Sequence, residues 1–177
     1  MQNLNILVVS SSLNPKSRSR ALAKKFVSNV ESKEGLSLTL VDLQDTVLPL
    51  CDGGSVYELP EVAQTKALVE SADAIIFASP IYVYGVNAAM KNFAELFGHS
   101  MVGKTAGFVC AAGGAMSYMS VMGFANSLML DFRMIVLPRF VYVSSQDWDG
   151  DALSEKMAER LTQFGEEFLD LSKKIKA

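Results

Sequence analysis

Cysteine, histidine and tryptophan are scarce in this chain, whose 177 residues include two cysteines, one histidine and one tryptophan. Cys51 and Cys110 are too few for a disulfide framework, and Cys110 lies in an apolar run where a buried thiol is usual. His99 directly follows Gly98 at a predicted helix end, where the helix dipole favours it. Metal-ligand spacings are absent. The sequence therefore predicts reduced, structural cysteines and no metal site.

Long apolar runs and an excess of positive charge are also absent. The run from Leu4 to Val9 is too short to span a bilayer, and no basic segment precedes it. The 16 basic and 19 acidic residues are interspersed and leave a net charge of −3, which argues against nucleic acid as the main partner. We therefore expect a cytoplasmic protein without a membrane or nucleic-acid partner.

Hydrophobic residues are abundant, at half of the chain, while a fifth of the residues are charged. This balance is typical of a folded globular protein, and the length suits one domain over residues 1–177.

Strand patterns alternate with helical patterns along the whole chain. The predicted strands cover 4–9, 36–42, 74–79, 105–110 and a fifth strand in two pieces, 134–137 and 140–143, interrupted at Pro138. The predicted helices cover 21–30, 60–71, 89–97, a methionine-rich stretch at 116–130, and 157–175. This alternation predicts an α/β fold: a flavodoxin-like, doubly wound, five-stranded parallel sheet of order 2-1-3-4-5 with helices on both faces.

The last predicted helix has the most regular pattern in the chain. From Met157 its apolar residues recur every three or four positions and form a continuous seam. Such a seam favours a helix that covers one face of the sheet, and a helix that binds a dedicated partner is the alternative.

A polar segment, Ser10 to Arg20, directly follows the first predicted strand. Five of its eleven residues are serines and three are lysine or arginine. Hydroxyls and positive charge thus coincide with a helix N-terminus, whose free N–H groups and dipole favour a phosphate. The segment is interpreted as an anion-binding loop, with a plain solvated loop as the alternative.

Three loops, the first at 10–20, the second at 80–87 and the third at 111–115, are expected to converge at one edge of the sheet. In the 2-1-3-4-5 order the strand sequence reverses between strands one and three, and ligands bind there at the carboxyl ends of the strands. The first loop can hold a phosphate, the second offers an apolar and aromatic wall for a flat ring, and glycines in the third permit close approach. The predicted cofactor-binding residues are Ser12, Ser17, Arg18, Ser19, Pro80, Ile81, Tyr82, Val83, Ala112, Gly113 and Gly114.

A phosphate at one end and a planar ring at the other describe a mononucleotide, and FMN is the known example in this fold. The residues also carry a resemblance. The motifs Ser-Ser-Leu-Asn-Pro-Lys-Ser-Arg-Ser-Arg-Ala-Leu-Ala at 11–23, Ser-Pro-Ile-Tyr at 79–82, Ala-Ala-Met-Lys-Asn-Phe at 88–93 and Ala-Gly-Gly at 112–114 resemble the NADPH-dependent FMN reductase family. The Ser-Arg-Ser of the first loop is most similar to the branch that supplies reduced flavin to sulfonate monooxygenases.

The resemblance implies an oxidoreductase in which hydride passes from NADPH or NADH to FMN, with the FMN phosphate on Ser12, Ser17 and Ser19. It places the isoalloxazine against 80–83 and its far edge near 112–114. It also implies a homodimer or homotetramer and small-molecule substrates, and the second acceptor ranges from free flavin, a quinone, an azo compound or oxygen to a partner monooxygenase. We assign no acid–base residue, because the cofactor carries the chemistry.

The chain departs from the family pattern in its first two loops. Asn14 stands where the family often has arginine, which leaves Lys16 or Arg18 to supply that charge. Many members carry Glu and Asn around the tyrosine of the second loop, where this chain has Ile81 and Val83. Tyr82 and Tyr84 are the aromatic residues of that loop that we expect to pack against the ring.

Two other functions are consistent with parts of the pattern. A flavodoxin-like electron carrier would bind FMN without using NAD(P)H, but its phosphate loop is usually rich in threonine and glycine and its surface strongly acidic. A low-molecular-weight phosphatase would use the spacing between Ser12 and Arg18, which matches a Cys-x5-Arg loop. Serine in place of cysteine removes the thiolate nucleophile, so the phosphatase hypothesis is set aside.

Overall fold

A computed structural model describes residues 3–176 of the chain. Its strands are β1 (Leu4–Ser10), β2 (Leu36–Asp42), β3 (Ala74–Tyr82), β4 (Gly85–Val86), β5 (Thr105–Ala111), β6 (Ile135–Val136), β7 (Val141–Val143), β8 (Trp148–Asp149) and β9 (Ala152–Leu153). Its α-helices are α1 (Arg18–Val30), α2 (Pro60–Ser71), α3 (Ala88–Phe97), α4 (Met122–Phe132) and α5 (Glu155–Lys176). Short 3-10 helices cover Ser55–Glu58, Gly98–Met101, Ala115–Val121 and Ser145–Asp147. Among the helices of residues 3–176, none combines the length and apolar character that a membrane crossing requires.

The central sheet has the order β2-β1-β3-β5, with β6 and β7 both on the outer side of β5. These strands are parallel, and only the short β4 pairs antiparallel, with β3. β6 pairs with the start of β5 and β7 with its end, because Pro138 lies between them and cannot donate to a ladder. The two pieces together occupy the fifth position, so the predicted order 2-1-3-4-5 is confirmed.

Helices cover both faces of the sheet, as predicted. On one face, α2, α3 and α4 bury Val62, Phe93 and Phe124 over a core that includes Phe77 and Phe108. On the other, α1 and α5 pack over the remaining inward side chains of the same strands. Strand β2 lies at the edge and is only partly buried, which agrees with its alternating sequence.

The apolar seam of α5 is buried against the sheet and α1. Phe164 and Phe168 meet Phe26 of α1 edge-to-face, with ring centroids 6.1 and 6.3 Å apart. α5 lies very close to the sheet at Gly107, where a Cβ atom would stand 2.8 Å from Phe164 Cζ. The seam therefore covers one face of the sheet, and the favoured prediction for this helix is confirmed. The helix begins at Glu155, two residues before the predicted start.

The third strand is longer than predicted. The sequence suggested an end at Ser79 with Pro80 opening a loop, whereas β3 continues through Tyr82 and turns into β4. Along a strand, the backbone N–H and C=O groups of successive residues point alternately to its two sides, and this alternation explains why a proline is tolerated at position 80. The carbonyl of Ala78 accepts from Ser11 N as β1 leaves the sheet, and the backbone of Pro80 points to that same side, where no strand needs a donor.

The methionine-rich stretch is not one helix over 116–130, as predicted. Residues Ala115–Val121 form a 3-10 helix with non-helical backbone at Ser117, and α4 begins only at Met122. The sequence predicts a helix end at Gly98, and α3 ends at Phe97, directly before it. The glycine is needed for packing, since a Cβ there would lie 1.9 Å from the ring of Phe132.

Candidate functional site

A cleft of about 210 Å³ opens at the carboxyl ends of β1, β3 and β5. Three loops border it, as the strand order predicts. Its lining residues are Ser12, Asn14, Lys16, Ser17, Arg18, Ser19, Pro80, Ile81, Tyr82, Ala111, Ala112, Gly113 and Ser145.

The first loop is held in shape by its own side chains. The Asn14 amide oxygen accepts from Lys16 N at 2.9 Å, and Asn14 N donates to Ser12 Oγ at 3.3 Å. Such local bonds are the usual way in which asparagine and serine fix a turn. Ser12 accepts in this bond, so its hydroxyl proton remains free to donate into the cleft.

The loop ends at the N-terminus of α1, which Ser17 caps. Ser17 Oγ accepts from Arg20 N at 3.1 Å, and Ser17 O accepts from Ala21 N at 3.1 Å. The backbone N–H groups of Arg18 and Ser19 are left without intrahelical partners in this first turn. The hydroxyls of Ser17 and Ser19 lie 2.9 Å apart, so one proton serves that bond and the other is available to a ligand. This end of the cleft is rich in donors.

Two cationic side chains border the same end, Lys16 and Arg18. The Arg18 guanidinium carbon lies 5.5 Å from the ring centroid of Trp148, within the range of a cation–π contact. Trp148 belongs to the small β8–β9 hairpin, which the sequence did not predict. The contact holds the Arg18 side chain beside the donor-rich end of the cleft, where Asn14 itself brings no charge.

The second loop is a tight hairpin turn after β3. Pro80, Ile81 and Tyr82 line the cleft, but Val83 and Tyr84 do not. Val83 and Tyr84 occupy the two turn positions with φ of 50° and 56°, and their exposed fractions are 98% and 71%. Positive φ is strained for a β-branched residue and is more common at functional sites. Val83 and Tyr84, which the sequence places against the ring, thus lie outside the lining of the cleft.

Asn87 connects the first and second loops from below the cleft. Its amide nitrogen donates to Ser11 O at 2.7 Å, and its amide oxygen accepts from Ser11 Oγ at 2.6 Å and Ser79 Oγ at 3.2 Å. All three residues are buried. Asn87 also stands at the N-cap position of α3, but its side chain makes no cap bond. The sequence does not reveal this residue, because asparagine is common before a helix and its bonds to Ser11 join positions far apart in the sequence.

The third loop follows β5 and presents backbone to the cleft. A Cβ atom on Gly113 would meet nothing within 4 Å, so the cleft is open at that point. The Gly113 carbonyl accepts from Ser145 Oγ at 2.6 Å, and the Gly114 carbonyl accepts from Tyr142 OH at 2.5 Å. Gly114 therefore faces β7 and does not line the cleft.

Nine of the eleven predicted residues are thus brought together, and Val83 and Gly114 lie outside. The cleft adds Asn14, Lys16, Ala111 and Ser145. Ser145 could have been found from the fold alone, since it follows β7, whose carboxyl end meets the same edge of the sheet.

Neither cysteine belongs to the cleft, and both are free thiols. Complete burial raises the pKa of Cys110 to about 12, so this thiol is neutral and unreactive near pH 7. Within residues 3–176, His, Cys, Asp and Glu form no group of three that could hold a metal ion.

Comparison with known proteins decides the family. The family model for NADPH-dependent FMN reductases matches residues 4–149. The chain belongs to the NADPH-dependent FMN reductase family. This reductase is 25% identical over 146 residues to an NAD(P)H-dependent FAD/FMN reductase of Geobacillus thermodenitrificans, covering 80% of this chain and 79% of that protein. It is also 25% identical to the NADH-dependent FMN reductase SfnE of Pseudomonas putida, covering 81% and 78%. The flavoenzyme FerB of Paracoccus denitrificans superposes with a TM-score of 0.78 at 21% identity, covering 97% and 98%.

Family membership makes the protein an NAD(P)H-dependent oxidoreductase that uses FMN. The cleft fits that cofactor on two observations. Its donor-rich end combines hydroxyls, free helix N–H groups and two cations, which together suit a phosphate dianion. At the other end, the bare backbone at Gly113 leaves room beside the apolar side chains of Pro80 and Ile81. A flat ring needs that combination of space and apolar contact.

Proposed function

We propose that this reductase binds FMN in the three-loop cleft and transfers hydride to it from NAD(P)H. One observation carries the proposal: phosphate-type donors and an apolar wall, predicted on separate loops, line one cleft at the switch point of the sheet. The chain from residue 1 to 177 acts in this proposal as one FMN-binding domain.

The phosphate is proposed to lie at the first loop, on Ser12, Ser17 and Ser19. These side chains each retain or share a hydroxyl proton, and the first turn of α1 adds N–H groups and the positive end of its dipole. Lys16 and Arg18 supply the countercharge. A hydrogen bond to a charged group contributes about 1.5–3 kcal/mol, so a few of them account for tight phosphate binding.

The isoalloxazine is proposed to lie between the second and third loops. Pro80, Ile81 and Tyr82 supply one side, and Ala112 and Gly113 supply the other. The side chains of Pro80, Ile81 and Ala112 carry no polar atoms, so backbone groups, the Tyr82 hydroxyl and, as an acceptor, the Ser145 hydroxyl remain as partners for the polar edges of the ring. Recognition through backbone explains how this chain does without the Glu and Asn of its relatives.

When bound, FMN accepts hydride from the nicotinamide and passes the two electrons to a second acceptor. The protein's own residues bind, orient and exclude water. Asn87 fixes the first two loops relative to each other, and Ser145 and Tyr142 fix the third by binding the carbonyls of Gly113 and Gly114. Such fixed geometry is what brings two reactants into alignment. No acid–base side chain is assigned.

We propose NADPH or NADH as donor and a small molecule, such as free flavin, a quinone, an azo compound or oxygen, as acceptor. The Ser-Arg-Ser of the first loop also supports a partner monooxygenase as recipient of reduced flavin. Because NAD(P)H is kept inside cells, the cytoplasm is the proposed location.

An exposed apolar surface beside the cleft supports a homodimer or homotetramer. It consists of the hairpin tip after β3 and the 3-10 helix Ala115–Val121, where Val83 is 98%, Met116 88% and Met119 62% exposed. Monomers seldom expose contiguous apolar patches of this kind, and most homo-oligomers are symmetric dimers or tetramers of dimers.

Light scattering should give an oligomer for the native chain and for Val47→Lys, and a smaller species for Val83→Lys with Met116→Lys. An unchanged mass in that variant would exclude this surface as the interface.

Anaerobic mixing of the FMN-loaded protein with NADPH or NADH tests the hydride transfer. We expect the visible absorbance of the flavin to be lost at a rate that rises with the concentration of at least one nicotinamide. With an electron carrier, the flavin would stay oxidised in the presence of either donor, and that result would favour the flavodoxin-like alternative.

A further inference from the structure

A second groove lies at the outer edge of the sheet, between the 3-10 helix Ala115–Val121 and α5. Its volume is about 520 Å³, larger than that of the FMN cleft. Aromatic residues form one wall. Tyr118 stacks on Phe140 with ring centroids 4.8 Å apart and an interplanar angle of 29°, and it meets Tyr142 edge-on at 5.6 Å. Phe140 and Tyr142 are buried, but 47% of Tyr118 is exposed, so a ligand can contact this ring.

Cationic side chains form the other wall of the groove, although the protein as a whole carries a net charge of −3. Arg139, Lys156 and Arg160 line it together with a single carboxylate, Glu159. Arg139 has only a loose contact with Glu167, at 4.0 Å. Within residues 3–176, Lys156 and Arg160 have no carboxylate within ion-pair distance.

Arg160 is held in position by one hydrogen bond and has further N–H donors available to a ligand. Its Nη2 donates to the Phe140 carbonyl at 3.2 Å, which fixes the guanidinium against β7. A guanidinium has five N–H donors, so the remaining ones are free for an anion. Three cations beside an exposed aromatic ring match a ligand that is flat, aromatic and multiply negative.

Tyr142 connects the groove to the third loop, which borders the FMN cleft. Gly113 lines the cleft, and the carbonyl of the next residue, Gly114, is bonded to the Tyr142 hydroxyl at 2.5 Å. Tyr142 lines the groove. Two sites connected through one residue suit a ligand whose two halves are joined by a flexible linker such as a pyrophosphate.

We infer that the groove binds the adenosine half of NADPH, with its 2′-phosphate on Arg139, Lys156 and Arg160 and its adenine against Tyr118. The inference rests on the proposed function, because it requires the nicotinamide to reach the FMN cleft. Its consequence is a preference for NADPH over NADH, since only NADPH carries the dianionic 2′-phosphate that these cations would bind. The groove thus supplies a specificity element for the donor that the FMN loops lack.

Calorimetric titration of the FMN-loaded protein with 2′,5′-ADP and 5′-AMP tests the inference without turnover. We expect 2′,5′-ADP to bind at least about tenfold more tightly, the effect of roughly one charge-assisted hydrogen bond. The double variant Arg139→Ala with Lys156→Ala should lose this difference. Lys25→Ala with Lys173→Ala removes the same charge from exposed positions on α1 and α5 and should retain it.

Steady-state kinetics of the same variants provide the second readout. In Arg139→Ala with Lys156→Ala, the KM for NADPH should rise about tenfold while the KM for NADH and the affinity for FMN stay unchanged. Equal binding of the two nucleotides by the native protein would overturn the inference, as would equal losses for NADPH and NADH. Competition by a simple aromatic carboxylate but not by 2′,5′-ADP would assign the groove to the acceptor and also overturn it.

The two proposals fail separately. If the native protein did not reduce FMN with either nicotinamide, the proposed function would be wrong whatever 2′,5′-ADP did. If NADH and NADPH reduced FMN equally well in all variants, the function would stand and the groove would have no part in binding the donor.

Discussion

At the scale of single residues, Gly113 gives the sharpest test of the proposed position of the flavin ring. Its φ is not in the left-handed region that favours glycine, and a Cβ atom there would meet no protein atom within 4 Å. The protein itself therefore gives no reason for glycine at this position. The reason proposed here is a ligand, the flavin ring, that approaches the bare backbone.

Gly113→Ala separates the two explanations. We expect the free energy of unfolding to stay within about 0.5 kcal/mol of the native value, because the methyl group has room. FMN affinity should fall about tenfold or more, because the methyl group takes space next to the ring. Thermal unfolding and fluorescence titration with FMN measure the two effects.

Gly123→Ala is the matched control, since its Cβ would likewise meet nothing within 4 Å but it lies on α4, outside the cleft. It should leave FMN binding close to native and raise the free energy of unfolding by at most about 1 kcal/mol, because alanine is the better helix former. Unchanged FMN affinity in Gly113→Ala would mean that the ring does not lie against the third loop.

At the scale of secondary-structure elements, the approach of α5 to the sheet depends on one position in β5. A Cβ on Gly107 would lie 2.8 Å from Ile76 Cδ1, 2.8 Å from Phe164 Cζ and 2.9 Å from Phe168 Cδ2. All three side chains are buried and packed, so none can move away at low cost.

Gly107→Ala should therefore lower the free energy of unfolding by about 1–3 kcal/mol, the usual cost of overpacking a core. Chemical denaturation is the measurement, and Gly123→Ala again provides a glycine-to-alanine change in open space. A Gly107→Ala protein as stable as the native one would show that α5 packs less closely against β5 than described.

Element types were largely predictable from the sequence because apolar runs and seams directly reflect burial. β1 and α5 are the clearest cases: one is an apolar run interrupted only by Asn5 before it ends at Ser10, and the other has an apolar residue every three or four positions. The end of β3 and the break before α4 were not predictable. Pro80 is compatible with a strand only because β1 has already left the sheet on that side, and this depends on a neighbouring strand.

At the scale of the whole molecule, the site is a product of strand order. Loops separated by about 30 to 130 residues in the sequence meet because β1, β3, β5 and β7 end at one edge. Of the eleven cofactor-binding residues predicted with that rule, nine line the cleft. It could not place Val83, because the direction of a side chain on a strained turn is set by the hairpin, and it could not find Asn87, whose bonds run between distant loops.

The groove beside Tyr118 shows the same limit. Its residues come from the 3-10 helix, from the segment around Pro138 and from α5. Each has an ordinary explanation within its own element, and their combined charge is evident only once the sheet edge brings them together. Sites of this kind are found from the folded molecule and then tested by variants.

The central claim is that the first loop holds the phosphate of FMN, and a comparison of FMN with riboflavin tests it most directly. The two ligands share the ring and differ in the phosphate. In the variant Ser12→Ala with Ser17→Ala, FMN affinity should fall about 100-fold, since two hydrogen bonds to an anion are lost, while riboflavin affinity should remain within about twofold. Ser28→Ala, on the exposed side of α1, should change neither, and thermal unfolding measures the cost of removing the Ser17 cap. Equal losses for FMN and riboflavin would contradict the claim and leave the loop without its phosphate.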